Sequence, residues 1–285
     1  MLRHTFAALI SVAVIAAADR PVDPTFLYRS LDSVHPAQSD LTTPTASYKP
    51  LFGAGDSQPE IVKGFARFGE LRVEPGGSSS SVTYPREEQV YFVLSGSGNL
   101  RYGDREYPIQ TEDFMYIAAG VEHAALNPST DPLRIVVMGW HLPRDIETVP
   151  PDRLPIANTA QAKKQVVGNH PPSTLYQLLL GDTTSTRDIL ATGHVVTSLF
   201  TMEFTAGGTN HPHHHPKEEE VYLVLDGEGE MVAGGGIDGV EGRHPAKPGD
   251  AYFYRLNATV GFYAPERELP RKARILAVRS RYPGR

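Results

Sequence analysis

The 285-residue chain contains no cysteine. That excludes disulfide staples and thiolate metal ligands, so any bound ion must rest on imidazole, carboxylate or neutral oxygen. Charge of either sign is in short supply: 27 Lys and Arg stand against 33 Asp and Glu, a net −6. No basic tract accompanies that balance, and nucleic acid is not an expected partner. Beyond the first eighteen residues, no run is apolar enough to span a bilayer. Helical periodicity is equally scarce. The one stretch that suggests a short helix lies near residues 159–166, inside a Pro-rich connector.

What is present begins with an export signal. Arg3 and His4 give a short positive end, residues 6–15 an apolar stretch, and Ala16-Ala17-Ala18 a small-residue cleavage site before Asp19. The apolar stretch falls short of the ~20 residues of a spanning helix. The expected mature chain is therefore secreted or periplasmic and free of the membrane. Residues 19–44, rich in Pro, Ser, Thr and Asp, read as an arm that wraps or trails.

The rest of the chain is a duplication. Residues 76–98 align without a gap on residues 207–229, and eleven of the 23 paired positions are identical. The likeness reaches upstream, where Tyr48 to Gly53 echoes the stretch around Tyr176, and downstream, where Asp113-Phe114-Met115-Tyr116 echoes Asp250-Ala251-Tyr252-Phe253. A period this long marks two domains rather than a solenoid. Each copy strings short Val/Tyr/Phe/Leu runs between Gly, Pro, Asn and Asp, which predicts an all-β sandwich or small barrel. The expected units are 45–142 and 170–285, joined by a linker at 143–169.

One run carries the chemistry. His211, His213, His214 and His215 precede Glu218-Glu219-Glu220 and the apolar stretch Val221-Tyr222-Leu223-Val224-Leu225. On extended backbone His213 and His215 share a face, His211 falls on the same side and His214 opposite. With Glu220 they form a set of two imidazoles and one carboxylate that leaves coordination positions open. Glu218 and Glu219 have counterparts in Glu87 and Glu88, which favours a structural role for them. His244 is expected on the surface of an inserted hairpin.

The spacing resembles the first motif of the cupin superfamily, Gly-x5-His-x-His-x4-Glu-x6-Gly, met here by Gly207, His213, His215, Glu220 and Gly227. The second motif is visible in the first copy as Gly120, His123 and Asn127, with Ala118 at its proline. In the second copy Asn257 replaces the turn glycine and Val260 stands where the family has its last histidine. The first copy in turn has Val82, Tyr84 and Gln89 at the other ligand positions. The resemblance implies a bicupin: two tandem jelly-roll barrels with an N-terminal arm. It also implies one divalent ion (iron, manganese, zinc, nickel or copper) on His213, His215 and Glu220, with His211 a candidate for the place left by Val260. His123, alone in the first barrel, reads as a hydrogen-bonded interior residue.

The available wall is Phe200, Met202, Tyr222, Leu223, Tyr252, Phe253, Tyr254, Phe262 and Tyr263, with Tyr222, Tyr254, Val260 and Phe262 expected around a small-molecule substrate. Among similar proteins, oxygenolytic cleavage of the flavonol-cleaving kind suits an open triad. Decarboxylation of the oxalate type, hydrolysis of the ureidoglycine aminohydrolase type, and non-catalytic binding or storage are the alternatives. A homodimer is left open.

Overall fold

The computed structural model describes residues 23–235 and 241–282; the export signal expected at 1–18 lies outside the described residues. The first half runs β1 (Phe26–Ser30), β2 (Ala46–Gly53), β3 (Phe65–Val73), β4 (Glu87–Ser95), β5 (Ser97–Tyr102), β6 (Arg105–Gln110), β7 (Asp113–Ile117), β8 (His123–Leu126) and β9 (Leu133–His141). A connector strand, β10 (Ile156–Asn158), leads to β11 (Thr174–Asp182), β12 (Leu190–Gly193), β13 (Val196–Phe204) and β14 (Glu218–Asp226). The chain closes with β15 (Gly229–Gly234), β16 (Glu241–Ala246), β17 (Asp250–Tyr254), β18 (Thr259–Tyr263) and β19 (Ala273–Arg281). Each half folds as a jelly-roll barrel of one large and one three-stranded sheet: β10-β7-β4-β9-β3-β2 with β6-β5-β8, then β1-β17-β14-β19-β13-β11-β12 with β16-β15-β18. Among the described residues no helix is long and apolar enough to cross a membrane.

The helix expected near 159–166 is a single 3-10 turn, Thr159–Gln161. Two features end it. Ala162 turns extended (φ −87°, ψ 123°), and the side chain of Gln177 donates to the carbonyls of Thr159 (2.8 Å) and Ala162 (3.0 Å), so those acceptors are met without further helix.

The barrels exchange their edge strands. β1, in the arm, pairs antiparallel with β17 of the C-terminal barrel from Phe26↔Tyr254 to Ser30↔Asp250. β10, in the segment read as a linker, pairs antiparallel with β7 of the N-terminal barrel from Ile156↔Met115 to Asn158↔Asp113. The β17 and β7 edges are thereby each paired with backbone from outside their own barrel, which covers a template for aggregation there.

Three apolar layers result: one lumen per barrel and a third layer between the large sheets. On β14 the side chains alternate, with Tyr222 and Val224 in the lumen and Val221 and Leu223 in the layer between barrels. Because both faces are buried, the strand reads as a near-continuous apolar run. This alternation corrects part of the expected lumen wall. Leu223 and Phe253 face the other barrel, where the Phe253 ring lies 5.8 Å from that of Phe52 and 5.9 Å from that of Phe65. Tyr263 is half-buried on the outside, under the Arg243 guanidinium at 4.0 Å.

Two buried carboxylates pin the barrels together. Glu88 accepts the backbone N–H groups of His194 (2.9 Å), Val195 (2.7 Å) and Val196 (2.8 Å), and the Tyr116 hydroxyl (2.9 Å). Its counterpart Glu219 accepts Gly64 N–H at 2.8 Å from the other side, and burial pushes its carboxyl up to about 7. Replacing Glu88 by Ala strands three buried donors, and the expected loss is about 3–5 kcal/mol in denaturant unfolding. A loss below ~1 kcal/mol would mean that the pin contributes nothing.

Candidate metal centre

The loop between β13 and β14 is shaped before any side chain reaches the site. Gly207 (φ 65°) and His211 (φ 53°) adopt left-handed backbone, which turns the chain over the barrel mouth. Asn210, fully buried, fastens it: its amide donates to the Tyr222 hydroxyl (3.0 Å) and its oxygen accepts Phe262 N–H (2.8 Å). His213 and Val260 then exchange two backbone hydrogen bonds, 2.9 and 2.8 Å.

These constraints bring His213, His215 and Glu220 together, one potential donor atom from each lying within 4.8 Å of the others. His215 Nε2 is 3.3 Å from Glu220 Oε2, and the two imidazoles meet edge-on with centroids 4.9 Å apart. Two ligands each ~2.1 Å from one ion subtend about 3 Å at an octahedral angle, so this spacing suits a shared ion. His215 Nε2 and Glu220 Oε2 are both buried without a hydrogen-bond partner among the described residues. Orphaned buried atoms are costly unless something closes them. The donor set and its unmet valence fit a divalent cation.

His211 does not join the group. It is exposed, and what it contributes is its carbonyl, which accepts the His213 Nδ1 proton at 2.8 Å. That bond leaves Nε2 of His213 with its lone pair, the outer contact that sets a ligating imidazole. Burial holds the His213 imidazole below its ordinary value, which favours the neutral form an ion requires. His214 is exposed on the loop. Glu218 is half-buried: its Oε1 accepts the Thr197 hydroxyl (2.5 Å), and its Oε2 lies 4.0 Å from His215 Nδ1.

A cavity of about 240 Å³ opens above the three residues. Of the positions expected around a substrate, Tyr222 lines it. Tyr254, Val260 and Phe262 belong to the packed lumen core and do not line the cavity, with the Tyr254 hydroxyl on Val232 O (3.1 Å) and the Phe262 ring 4.8 Å from that of Phe204. The remaining wall comes from residues the sequence motif does not flag. His170, its Nδ1 2.7 Å from Asn210 O, arrives with Val167 and Gly168 from the connector. Tyr176, Leu178, Arg187 and Arg279 complete it, together with Phe200, which was expected in the wall. His244 is half-buried against Phe26 (5.3 Å) and Tyr252 (6.2 Å), away from this cavity, where a surface position was expected.

The N-terminal barrel has a closed polar network at the same level. Gln89 donates to Glu87 (2.7 Å), and its oxygen lies 3.1 Å from His123 Nε2, whose Nδ1 is 2.9 Å from Val121 O. Arg67 caps this set from above, 2.8 Å from Glu87 and from Asp40. Both ring nitrogens of His123 face protein oxygens, of which the neutral ring donates to one, and among the described residues this barrel gathers no set of three metal-ligating side chains.

A family model described as the cupin domain matches residues 69–139 and 200–272, one span in each half, together just over half of the chain. The chain belongs to the cupin superfamily and is a bicupin. No match is found among curated proteins. Solved structures share the fold at low identity. A putative glyoxylate-induced protein from Pseudomonas aeruginosa is 14% identical with TM-score 0.69, covering 93% of this chain and 92% of its own. The nickel(II) complex of the bacterial pirin YhhW from Escherichia coli is 14% identical with TM-score 0.63, covering 90% and 99%. Lactobacillus farciminis oxalate decarboxylase in a formate complex is 11% identical with TM-score 0.65, covering 93% and 88%.

Burial drives His123 down to about 4. Above pH ~6.5 neither state carries its proton; as pH falls toward 4 the unfolded chain gains a proton that the folded chain refuses, so stability drops. Between pH 7 and 4 wild type should lose roughly 3 kcal/mol more than His123→Gln. The check is unfolding free energy against pH, and a constant gap between the two proteins would contradict the assignment.

Proposed function

We propose that the chain is an exported metal-dependent enzyme that converts a small organic molecule in its C-terminal barrel. The observation that carries this reading is the meeting of two orphaned buried atoms, His215 Nε2 and Glu220 Oε2, with His213 at the floor of a cavity. A divalent ion held there would act as a Lewis acid with open positions for substrate or oxygen. The chain's own groups do the rest. The His211 carbonyl fixes the tautomer of His213. Val167, Leu178 and Phe200 keep the upper lumen apolar and limit water beside the reacting atoms.

Oxygen-dependent cleavage is the first reading, because a set of two imidazoles and one carboxylate suits a redox-active ion with free positions. Hydrolysis or decarboxylation is the second, and the cavity's size favours it: about 240 Å³ is below the range of pockets for drug-sized ligands. The YhhW nickel complex and the formate-bound decarboxylase support metal and small-acid chemistry on this fold without assigning either, since one fold hosts many reactions.

Purified mature chain should carry one ion by elemental analysis, start at Asp19 by mass spectrometry, and lose the ion in His213→Ala. His211→Ala should keep it, since only the His211 carbonyl is used. Metal retained by the triple alanine variant of His213, His215 and Glu220 would refute the site. Oxygen uptake with enols or catechols supports the first reading, and oxygen-independent release of carbon dioxide or ammonia the second. Tight ligand binding with no turnover in either assay would make the protein a binding or storage bicupin.

A further inference from the structure

The cavity has an internal reference in the other barrel. There the Arg67 guanidinium is well engaged: Nε donates to Glu87 at 2.8 Å, and one terminal nitrogen donates to Asp40 (2.8 Å) and to the Tyr84 oxygen (2.9 Å). The Tyr84 hydroxyl in turn donates to the second carboxylate oxygen of Asp40 at 2.9 Å. Tyr84 occupies the position of His215 in the repeat. A carboxylate from the chain itself therefore closes the N-terminal barrel, held between an arginine and the side chain at a ligand position.

The C-terminal barrel keeps the arginine and lacks that carboxylate. Arg67 faces Gly139 across β3 and β9, whereas in the other copy Ser198 faces Arg279 across β13 and β19. The guanidinium has thus changed strands, yet it still sits beside Glu218, the counterpart of Glu87, at 3.6 Å, and 3.8 Å from Glu220. Its Nε is buried with no hydrogen-bond partner among the described residues. Ala37 and Gln165 form equivalent backbone bridges, to Tyr48 and Tyr176. Three residues beyond each bridge, Asp40 has Gly168 as its counterpart. Gly168 stands on the cavity wall at φ 58°, and a Cβ there would meet nothing within 4 Å. Arg187 adds a second guanidinium to the wall, 3.4 Å from Ser198 Oγ.

We propose that the C-terminal cavity binds a small carboxylate on Arg279, in the space that Gly168 leaves where the N-terminal barrel has the side chain of Asp40. This rests on the metal reading of His213, His215 and Glu220, because the ion supplies the second positive contact. Formal charge agrees: a divalent ion with Arg187 and Arg279 gives +4, and Asp188, Glu218 and Glu220 give −3, so one carboxylate neutralises the site.

The test is calorimetric binding of acetate, pyruvate, malonate and succinate, with their amides as uncharged controls, to metal-loaded and metal-free chain. At least one acid should bind the loaded chain about 10- to 100-fold more tightly than its amide, and Arg279→Gln should abolish that preference while metal content stays at one ion. Gly168→Asp supplies the carboxylate in cis, since Asp tolerates positive φ. It should block acid binding about tenfold or more and raise the unfolding temperature above that of Gly168→Asn, which still binds. Equal binding of acids and amides, undiminished acid binding in Arg279→Gln, or equal behaviour of the Asp and Asn variants overturns the proposal. Arg279-dependent acid binding in a chain that takes up no metal would refute the metal reading and leave the carboxylate site standing.

Discussion

Everything in this molecule hangs on the two-residue period of one strand in each barrel. Along β14, Glu219 points across the interface and Glu220 into the lumen. Along β4, Glu88 crosses the interface and Gln89 faces inward to His123. A one-residue slip would exchange these roles, aiming the pin at the cavity and the ligand at the partner barrel. Register is therefore fixed twice over, by the apolar layers on both faces and by the carboxylates that receive backbone N–H groups from the opposite barrel. The exchange of β1 and β10 adds backbone pairing to that lock.

Within this frame the two barrels have settled opposite problems of buried polarity. In the N-terminal barrel Arg67, Tyr84, Glu87, Gln89 and His123 are linked, with the exposed Asp40 at the mouth, in one hydrogen-bonded chain. Its cationic centre is a guanidinium. The C-terminal lumen leaves a carboxylate oxygen and an imidazole nitrogen unmet, together with an arginine Nε. Such groups are costly in isolation, and their convergence on one small cavity is what makes that barrel the place for a ligand.

The sequence made much of this legible for identifiable reasons. The duplication, the strand-and-turn punctuation and the histidine–glutamate spacing are local patterns, and they suffice for two jelly-roll barrels and for the three converging side chains. Contributions made across long separations were not legible. Arg279 and Arg187 reach the cavity through pairing of β19 with β13 and through the turn before β12, and His170, the first residue of the second unit, comes with Val167 and Gly168 from the end of the linker. Tyr254, Val260 and Phe262 lie in the lumen, but the packing that keeps them from the cavity has no local signature. For His211 the alternation argument failed because the left-handed backbone at that residue breaks the period of two. The glutamates before Glu220 stood out only because both copies retain them.

What is proposed is that the C-terminal barrel binds one ion on His213, His215 and Glu220 and that the N-terminal barrel binds none. Anomalous diffraction from crystals of the metal-loaded chain tests it directly. The account predicts a single strong peak about 2.0–2.2 Å from His213 Nε2, His215 Nε2 and a Glu220 oxygen, with none in the N-terminal barrel. A peak beside His123, or an ion bound away from those three residues, would contradict it.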